Sequence, residues 1–400
     1  MIRGRRGVLA LVAVAAVATA VVAAGTASTQ QANTVTIGWA YDGSGAMAPF
    51  DGPALATARD RVKQVNRGSG VNLRITTCDT QGNKPATAKA CAARLLGQGA
   101  DVIFTTCDVD FAAPVVQESI NAGKLTIAAC IGTDQMGPKR FGAKGRLAFS
   151  YGNVAQDEGS AMAEYAWKRG WRDAALATDT VIVYFRNVVQ AFEARWRQLG
   201  GRIVAEETYQ SLGGNPASWQ NVATRLNGED ADVIVTSTAA AFGAQVPILN
   251  GLRTLGNNTP MLNSWAGDGN YWYTPNPTVS NYYYVTFASA FGNDPVAAVN
   301  ALVKRNKAAI AKGGSTGGFI TGPAAIDGLV TALKRTGGST NGARLAAEME
   351  KFKHVNTLSG KVSLSKSLHT VFGRQYRVIR VQNNVPKVVG TIKAKVVPKI

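Results

Sequence analysis

The sequence predicts an α/β protein built on parallel sheets, and two observations carry the prediction. Apolar, β-rich runs at 34–41, 71–78, 101–107 and 124–130 alternate with stretches of helical pattern, and a second alternating series follows residue 150. Strands spaced by helices form βαβ units. Open sheets of this kind bind ligands beyond the carboxyl ends of their strands, which directs attention to Asp42 to Phe50, Asp79, Asp108 to Phe111 and Ile131 to Asp134.

The chain opens with Arg3, Arg5 and Arg6, an uncharged apolar run from Val8 to Ala24, and small residues through Ser28. This is the layout of a secretory leader, expected over residues 1–27 with cleavage near Ala24 or Ala27. The run also approaches the length of a membrane anchor. No cysteine precedes Cys78, so a lipid-anchor cysteine has no candidate, and the mature chain is expected outside the cell or at its envelope.

After the four opening runs the elements follow in order. Residues 159–170 read as a helix, AALATD as a strand, and NVVQAFEARWRQLGG as an amphipathic helix stopped by Gly200 and Gly201. RIVAEETY and DVIVTST read as strands flanking a helix at WQNVATRLN; VPILNGLRTLG then reads as a helix and MLNSW as a strand. The break near 149–152 marks passage to a second α/β unit, and NYYYVTF (281–287) marks the return. Helices are expected at 295–311 and 322–336. VSLS, QYRVIRVQ and KVVGTIKAKV follow as short strands, with a hairpin turn at Asn383 and Asn384.

Composition narrows the function. The formal charge is +18, and residues 351–400 hold eleven Lys or Arg and no Asp or Glu. These charges lie along β-type runs without a basic helix or an aromatic RNA-binding signature, so a basic surface is expected rather than a nucleic-acid partner. Four cysteines in an exported chain suggest two disulfides. Three pairings are possible. Cys107 and Cys130 end neighbouring strands, and Cys78 and Cys91 are joined by a short loop, which favours Cys78 with Cys91 and Cys107 with Cys130. A metal site is the alternative, but CxxC spacing is absent and both histidines lie far downstream. No cofactor is expected.

The order of the elements resembles the type I periplasmic-binding proteins, within them the leucine/isoleucine/valine-binding branch that serves ABC importers. The resemblance rests on SGAMAPFDGPALATARDRVKQVN, CDTQGNKPATAKACAARLLGQGADVIF, APVVQESINAGKLTIAACIGT and the closing GFITGPAAIDGLVTALKRTGG...LSGKVSL...RQYRVIRVQNN, and spans roughly 33–393. It implies two Rossmann-like lobes joined by three crossover segments: 33–149 with 286–360, and 150–285 with 361–400. It further implies a monomer that closes on a small polar solute without changing it, and delivers it to a membrane permease. A ligand-sensing receptor component using the same cleft is the alternative.

The resemblance also nominates the residues at the solute. In amino-acid binders of this family, hydroxyls and N–H groups after strands three and four hold the α-carboxylate, and an acid of the second lobe meets the ammonium. Here Asp108, followed by Val109 and Asp110, takes the place of the first hydroxyl. A carboxylate there repels a ligand carboxylate and favours hydroxyl, amide or amine groups. Asp108 is equally well placed to cap the helix that follows it. Ile131, Gly132 and Thr133 match the stretch after strand four, Ser44 and Phe50 the first loop, and Tyr184 the tyrosine opening a second-lobe helix. Trp265 or Asp268 is the second-lobe contact, beside the aromatic group Tyr271, Trp272 and Tyr273.

Two enzyme patterns are present in letters. Gly43 to Ala48 fits GxGxxA, but the next strand-end acid, Asp79, is too distant and Pro49 interrupts the helix start. Gly313 to Gly317 fits GxSxG around Ser315, with Asp327 and then His354 or His369 in hydrolase order. A lysine-rich helix, not a strand, precedes that serine, so a glycine helix stop explains it better.

Overall fold

A computed structural model describes Met1, residues 34–68 and residues 70–400; the expected leader, Met1 apart, lies outside the described residues. The first series runs β1 (Val35–Tyr41), α1 (Ala48–Asn66), β2 (Leu73–Asp79), α2 (Pro85–Gly97), β3 (Val102–Thr105), α3 (Val109–Asn121), β4 (Thr126–Ala128), α4 (Pro138–Phe141) and β5 (Ala148–Asn153). The second runs α5 (Ala155–Lys168), β6 (Asp173–Asp179), α6 (Val183–Leu199), β7 (Arg202–Tyr209), α7 (Pro216–Asn227), β8 (Val233–Ser237), α8 (Gln245–Thr254), β9 (Met261–Asn263) and β10 (Tyr282–Thr286). The remainder is α9 (Ala297–Arg305), α10 (Lys307–Lys312), α11 (Gly318–Arg335), α12 (Gly342–Met349), β11 (Val355–Thr357), β12 (Gly360–Val362), β13 (Thr370–Val371), β14 (Tyr376–Gln382) and β15 (Val385–Ile392).

The strands form two main sheets. The first has the order β13-β5-β4-β3-β1-β2 and is parallel throughout. The second has the order β15-β14-β10-β9-β8-β6-β7, parallel from β10 to β7 and antiparallel where β14 meets β10 and β15. In each sheet the strand order reverses once, at β2-β1-β3 and at β7-β6-β8. These reversals are where crevices open beyond the strand ends.

The chain passes between sheets three times: from β5 to α5, from β10 to α9 and from β13 to β14. Three details differ from the sequence reading. The chain stays in the first sheet through Asn153, because residues 148–150 pair with Thr126–Ala128. The run at 281–287 is mostly strand β10, with the return passage after it. Residues 361–400 do not all join the second sheet, since β13 lies beside β5.

Local chemistry explains the boundaries. Gly200 closes α6 at φ 89°, the left-handed region glycine tolerates. Asn383 and Asn384 also take positive φ and make the β14–β15 turn. α1 packs on α11 where glycines let backbone meet backbone: a Cβ at Gly322 would lie 2.0 Å from the Ala54 carbonyl oxygen.

Both expected disulfides are present, Cys78–Cys91 with Cα atoms 5.5 Å apart and Cys107–Cys130 with Cα atoms 4.7 Å apart. Asp51, Cys107 and Cys130 come close enough to suggest a metal site, but both sulfurs are committed to the disulfide. No helix among the described residues is long and apolar enough to cross a membrane.

Candidate functional site

The carboxyl ends of the two sheets meet around a buried, mainly apolar cavity. From the first lobe it is lined by Met47 and Phe50 of the β1–α1 segment, Cys107 and Asp108 after β3, and Gly132 after β4. From the second come Ile182, Tyr184 and Phe185 at the start of α6, Ala239 and Phe242 after β8, and Trp265 and Ala266 after β9. The lobes touch across it. The Phe50 and Trp265 rings stand 5.1 Å apart and those of Phe111 and Phe242 6.1 Å apart. The cavity is small, with about 20 Å³ of room for a water centre. Anything larger than a water must part the lobes to enter.

Asp108 holds the polar position in this lining. Its side chain accepts the Asp110 N–H at 2.9 Å and caps α3, and the residue also lines the cavity. Burial, reinforced by the nearby Asp110 charge, pushes its carboxyl up to about 7. Asp110 itself faces outward to Arg140 at 2.7 Å and accepts the Val183 N–H at 2.9 Å, a hydrogen bond between the lobes at the cavity's edge.

Tyr184 is fixed from behind. Its hydroxyl donates to Glu158 at 2.9 Å, and the same carboxylate oxygen accepts the Trp265 N–H. Glu158 is fully buried in the first turn of α5, its second oxygen has no partner among the described residues, and burial pushes its carboxyl up to about 8. One carboxyl thus holds the Tyr184 ring and the Trp265 main chain at the lining. Gly132 leaves the space Tyr184 fills, since a Cβ there would lie 2.6 Å from the ring.

The remaining nominated residues lie elsewhere. Val109 and Ile131 pack in an apolar cluster beside the cavity, and Thr133 is buried with its carbonyl accepting the Thr370 hydroxyl. Ser44 is exposed on a separate groove with Tyr271 and Lys312. Asp268 does not line the cavity; it accepts the Gly317 N–H and the Thr286 hydroxyl and ties the second lobe to the start of α11. Trp272 and Tyr282 pack edge to face in the second sheet's core, with Tyr273 beside Trp272.

The two enzyme-like patterns serve structure. Asp42 already accepts the N–H groups of Ser44, Gly45, Met47 and Gly82, so the GxGxxA loop has its amides spent on a carboxylate of its own chain. Ser315 donates its N–H to the Ile310 carbonyl at 2.9 Å and Gly314 takes φ 87°, a helix stop. Asp327 pairs with Arg61 and His369 stacks on Phe149.

Met47, Phe185, Phe242 and Glu158 were not foreseen. The first three are apolar residues whose sequence context matches ordinary core. Glu158 belongs to a polar run, Gln156 to Glu158, buried at the start of α5, and nothing in the sequence sets it apart from its neighbours.

The buried acids set a pH dependence. Asp51, Asp108 and Glu158 are raised to about 7, 7 and 8 from ordinary values of 3.8, 3.8 and 4.5, by burial above all. Between those limits the folded chain holds more protons than the unfolded one, so stability falls as pH rises through about 4 to 8. His369, lowered by burial, and Asp173, lowered by Arg202, oppose this, while Asp157, Asp179, Asp268 and Asp327, all raised by burial, add to it. The ligand-free chain should therefore melt at a higher temperature at pH 5 than at pH 8 in calorimetry at fixed ionic strength. A melting temperature that rises over that interval contradicts these protonation states.

The comparisons agree with this architecture. A solved branched-chain amino acid transporter substrate-binding protein of Streptococcus pneumoniae, in complex with isoleucine, shares 19% identity and superposes with a TM-score of 0.75, over 91% of this chain and 100% of that one. A benzoate-bound solute-binding protein of an ABC transporter from Rhodopseudomonas palustris shares 16% identity with a TM-score of 0.73, over 92% of this chain and 98% of that one. A leucine-binding protein of Thermotoga maritima shares 17% identity with a TM-score of 0.70, over 90% of this chain and 98% of that one. No curated protein sequence matches the chain. The family model described as periplasmic binding protein matches residues 34–386. The chain, with its two Rossmann-like lobes and three crossings, belongs to the periplasmic binding protein family.

Proposed function

We propose that this chain is an exported solute-binding protein that captures a small molecule between its lobes and delivers it to the permease of an ABC importer. The observation that carries the reading is the cavity at the meeting point of the two sheets' carboxyl ends, lined from both lobes. The three crossings are the hinge about which the lobes part and close. Closure on a solute excludes water from both faces at once and buries apolar surface, the main source of affinity for such a site.

The lining selects the solute. Phe50, Tyr184, Phe185, Phe242 and Trp265 offer aromatic faces, and Asp108 offers a carboxyl at one side. That combination fits a compact branched or aromatic body bearing an amine or hydroxyl donor. The solved neighbours hold isoleucine in one case and benzoate in another, apolar bodies of about this size, each with a carboxylate. Asp108 turns this chain away from a free carboxylate at that point.

A thermal-shift panel tests the reading, since a ligand of the native state raises the melting temperature with dose. Amines and hydroxyl compounds with branched or aromatic bodies should raise it, and matched carboxylates without a donor should not. A panel in which the carboxylates alone shift the transition contradicts the proposed selectivity.

A further inference from the structure

The basic end of the chain lines a second and larger cavity, about 540 Å³, set on two of the three passages between the lobes. Its walls are the β11–β12 hairpin, the start of α9, Phe287 and Ala288 after β10, Gly373 to Gln375 before β14, and Lys393 after β15. Four cations line it: Lys361, Arg374, Arg377 and Lys393. Two carboxylates lie close, and both are engaged. Asp294 takes two hydrogen bonds from Arg377, each 2.9 Å, and Asp157 accepts from Gly373 N–H and Asn153 while lying near Lys393 and Arg374.

Arg374 is the unusual member. It is 4% exposed, donates to the main-chain oxygens of Tyr151 at 3.0 Å and Ser359 at 3.3 Å, and stands 4.8 Å from the Phe287 ring. Its Nε–H has no acceptor among the described residues. The two carbonyls are neutral and the nearby Asp157 carboxylate is shared with Gly373, Asn153 and Lys393, so the group that best meets the free Nε–H is an oxyanion. Lys361 and Lys393 are exposed at the same cavity, and among the described residues neither is within ion-pair distance of a carboxylate.

We propose that this cavity is a binding site for a multivalent oxyanion, a diphosphate or polycarboxylate group, held by Arg374, Lys361 and Lys393. The site is separate from the solute cavity and does not rest on the solute reading. It has a mechanical consequence. Lys361 sits on a hairpin anchored to the first lobe through the Leu358 N–H to Asp327 on α11, 2.8 Å, whereas Lys393 follows the edge strand of the second sheet. An anion that bridges them fixes one relative placement of the lobes and so shifts the balance between open and closed forms.

Calorimetric titration of the full chain with pyrophosphate and with citrate, at ionic strength held constant with sodium chloride, tests this. Saturable binding of at least one anion is expected, weakened about tenfold in the Lys361→Gln/Lys393→Gln variant, a loss of about 1.4 kcal/mol. Pyrophosphate alone would assign the site to phosphate compounds, citrate alone to carboxylates, and either upholds it. No saturable heat with either anion, or equal affinity in the double variant, overturns it.

Discussion

Asp108→Asn is expected to fold with a higher melting temperature than the unaltered chain at pH 8 and to lose its solute. The amide keeps an oxygen for the Asp110 N–H that caps α3, and it removes a carboxyl that burial drives up to about 7. Stability therefore rises where the carboxylate would otherwise be ionised in an apolar wall. Binding falls because a desolvated charge pair with a ligand amine is worth about 2–5 kcal/mol when one partner is truncated, or about 30-fold to several thousandfold in affinity. Asp108→Ala should lose the solute as well and also about 1 kcal/mol of helix cap. Asp108→Ser restores the hydroxyl usual in amino-acid binders of the family and should admit a branched-chain amino acid. Parallel melting and titration curves for the three variants check this. Unchanged solute affinity in Asp108→Asn would remove Asp108 from the binding face and leave it a cap alone.

The largest expected effect on folding lies at Arg377. Its guanidinium meets Asp294 with two hydrogen bonds, and the two side chains are 10% and 0% exposed. Asp294 also accepts the Ser289 and Val296 N–H groups, so the pair fastens the β10–α9 passage to β14. Arg377→Leu leaves that carboxylate buried without its counter-charge and should cost about 3–5 kcal/mol in chemical denaturation. Adding Asp294→Asn should recover part of the loss, because the destabilising element is the unpaired charge and not the missing arginine. A single variant within about 1 kcal/mol of the unaltered chain would show that water reaches the pair.

The sheets were legible because their strands carry period-two or fully apolar runs bounded by helices, and β1 to β4 fall within two or three residues of the expected positions. The same logic led from strand ends to Phe50, Asp108 and Gly132, and the family resemblance led to Tyr184 and Trp265; the structure sets these five around one cavity. Chain order alone did not show which way a loop turns. Ser44 sits in a loop that Asp42 folds back on itself through three of its N–H groups, and its side chain is carried outward. Asp268 was close in sequence to a lining residue, yet the short helical turn Trp265–Gly267 directs it to Gly317 instead. Phe242 meets Phe111 across the interface between lobes, and Glu158 reaches Tyr184 and Trp265 from a separate helix of the second lobe; contacts between segments distant in sequence leave no local periodicity. β13, two residues long, was too short to register and was misplaced with the second sheet.

Native mass spectrometry of freshly purified chain, followed by titration of any released compound into the unaltered chain and into Trp265→Ala, tests the central claim most directly. The account predicts one small molecule per chain, released unchanged on denaturation. Its rebinding should be weakened at least about tenfold by loss of the indole, in keeping with the weight aromatic anchors carry at buried contacts. A compound that binds both chains equally, or that is chemically converted on incubation, contradicts capture of an unmodified solute between the two lobes.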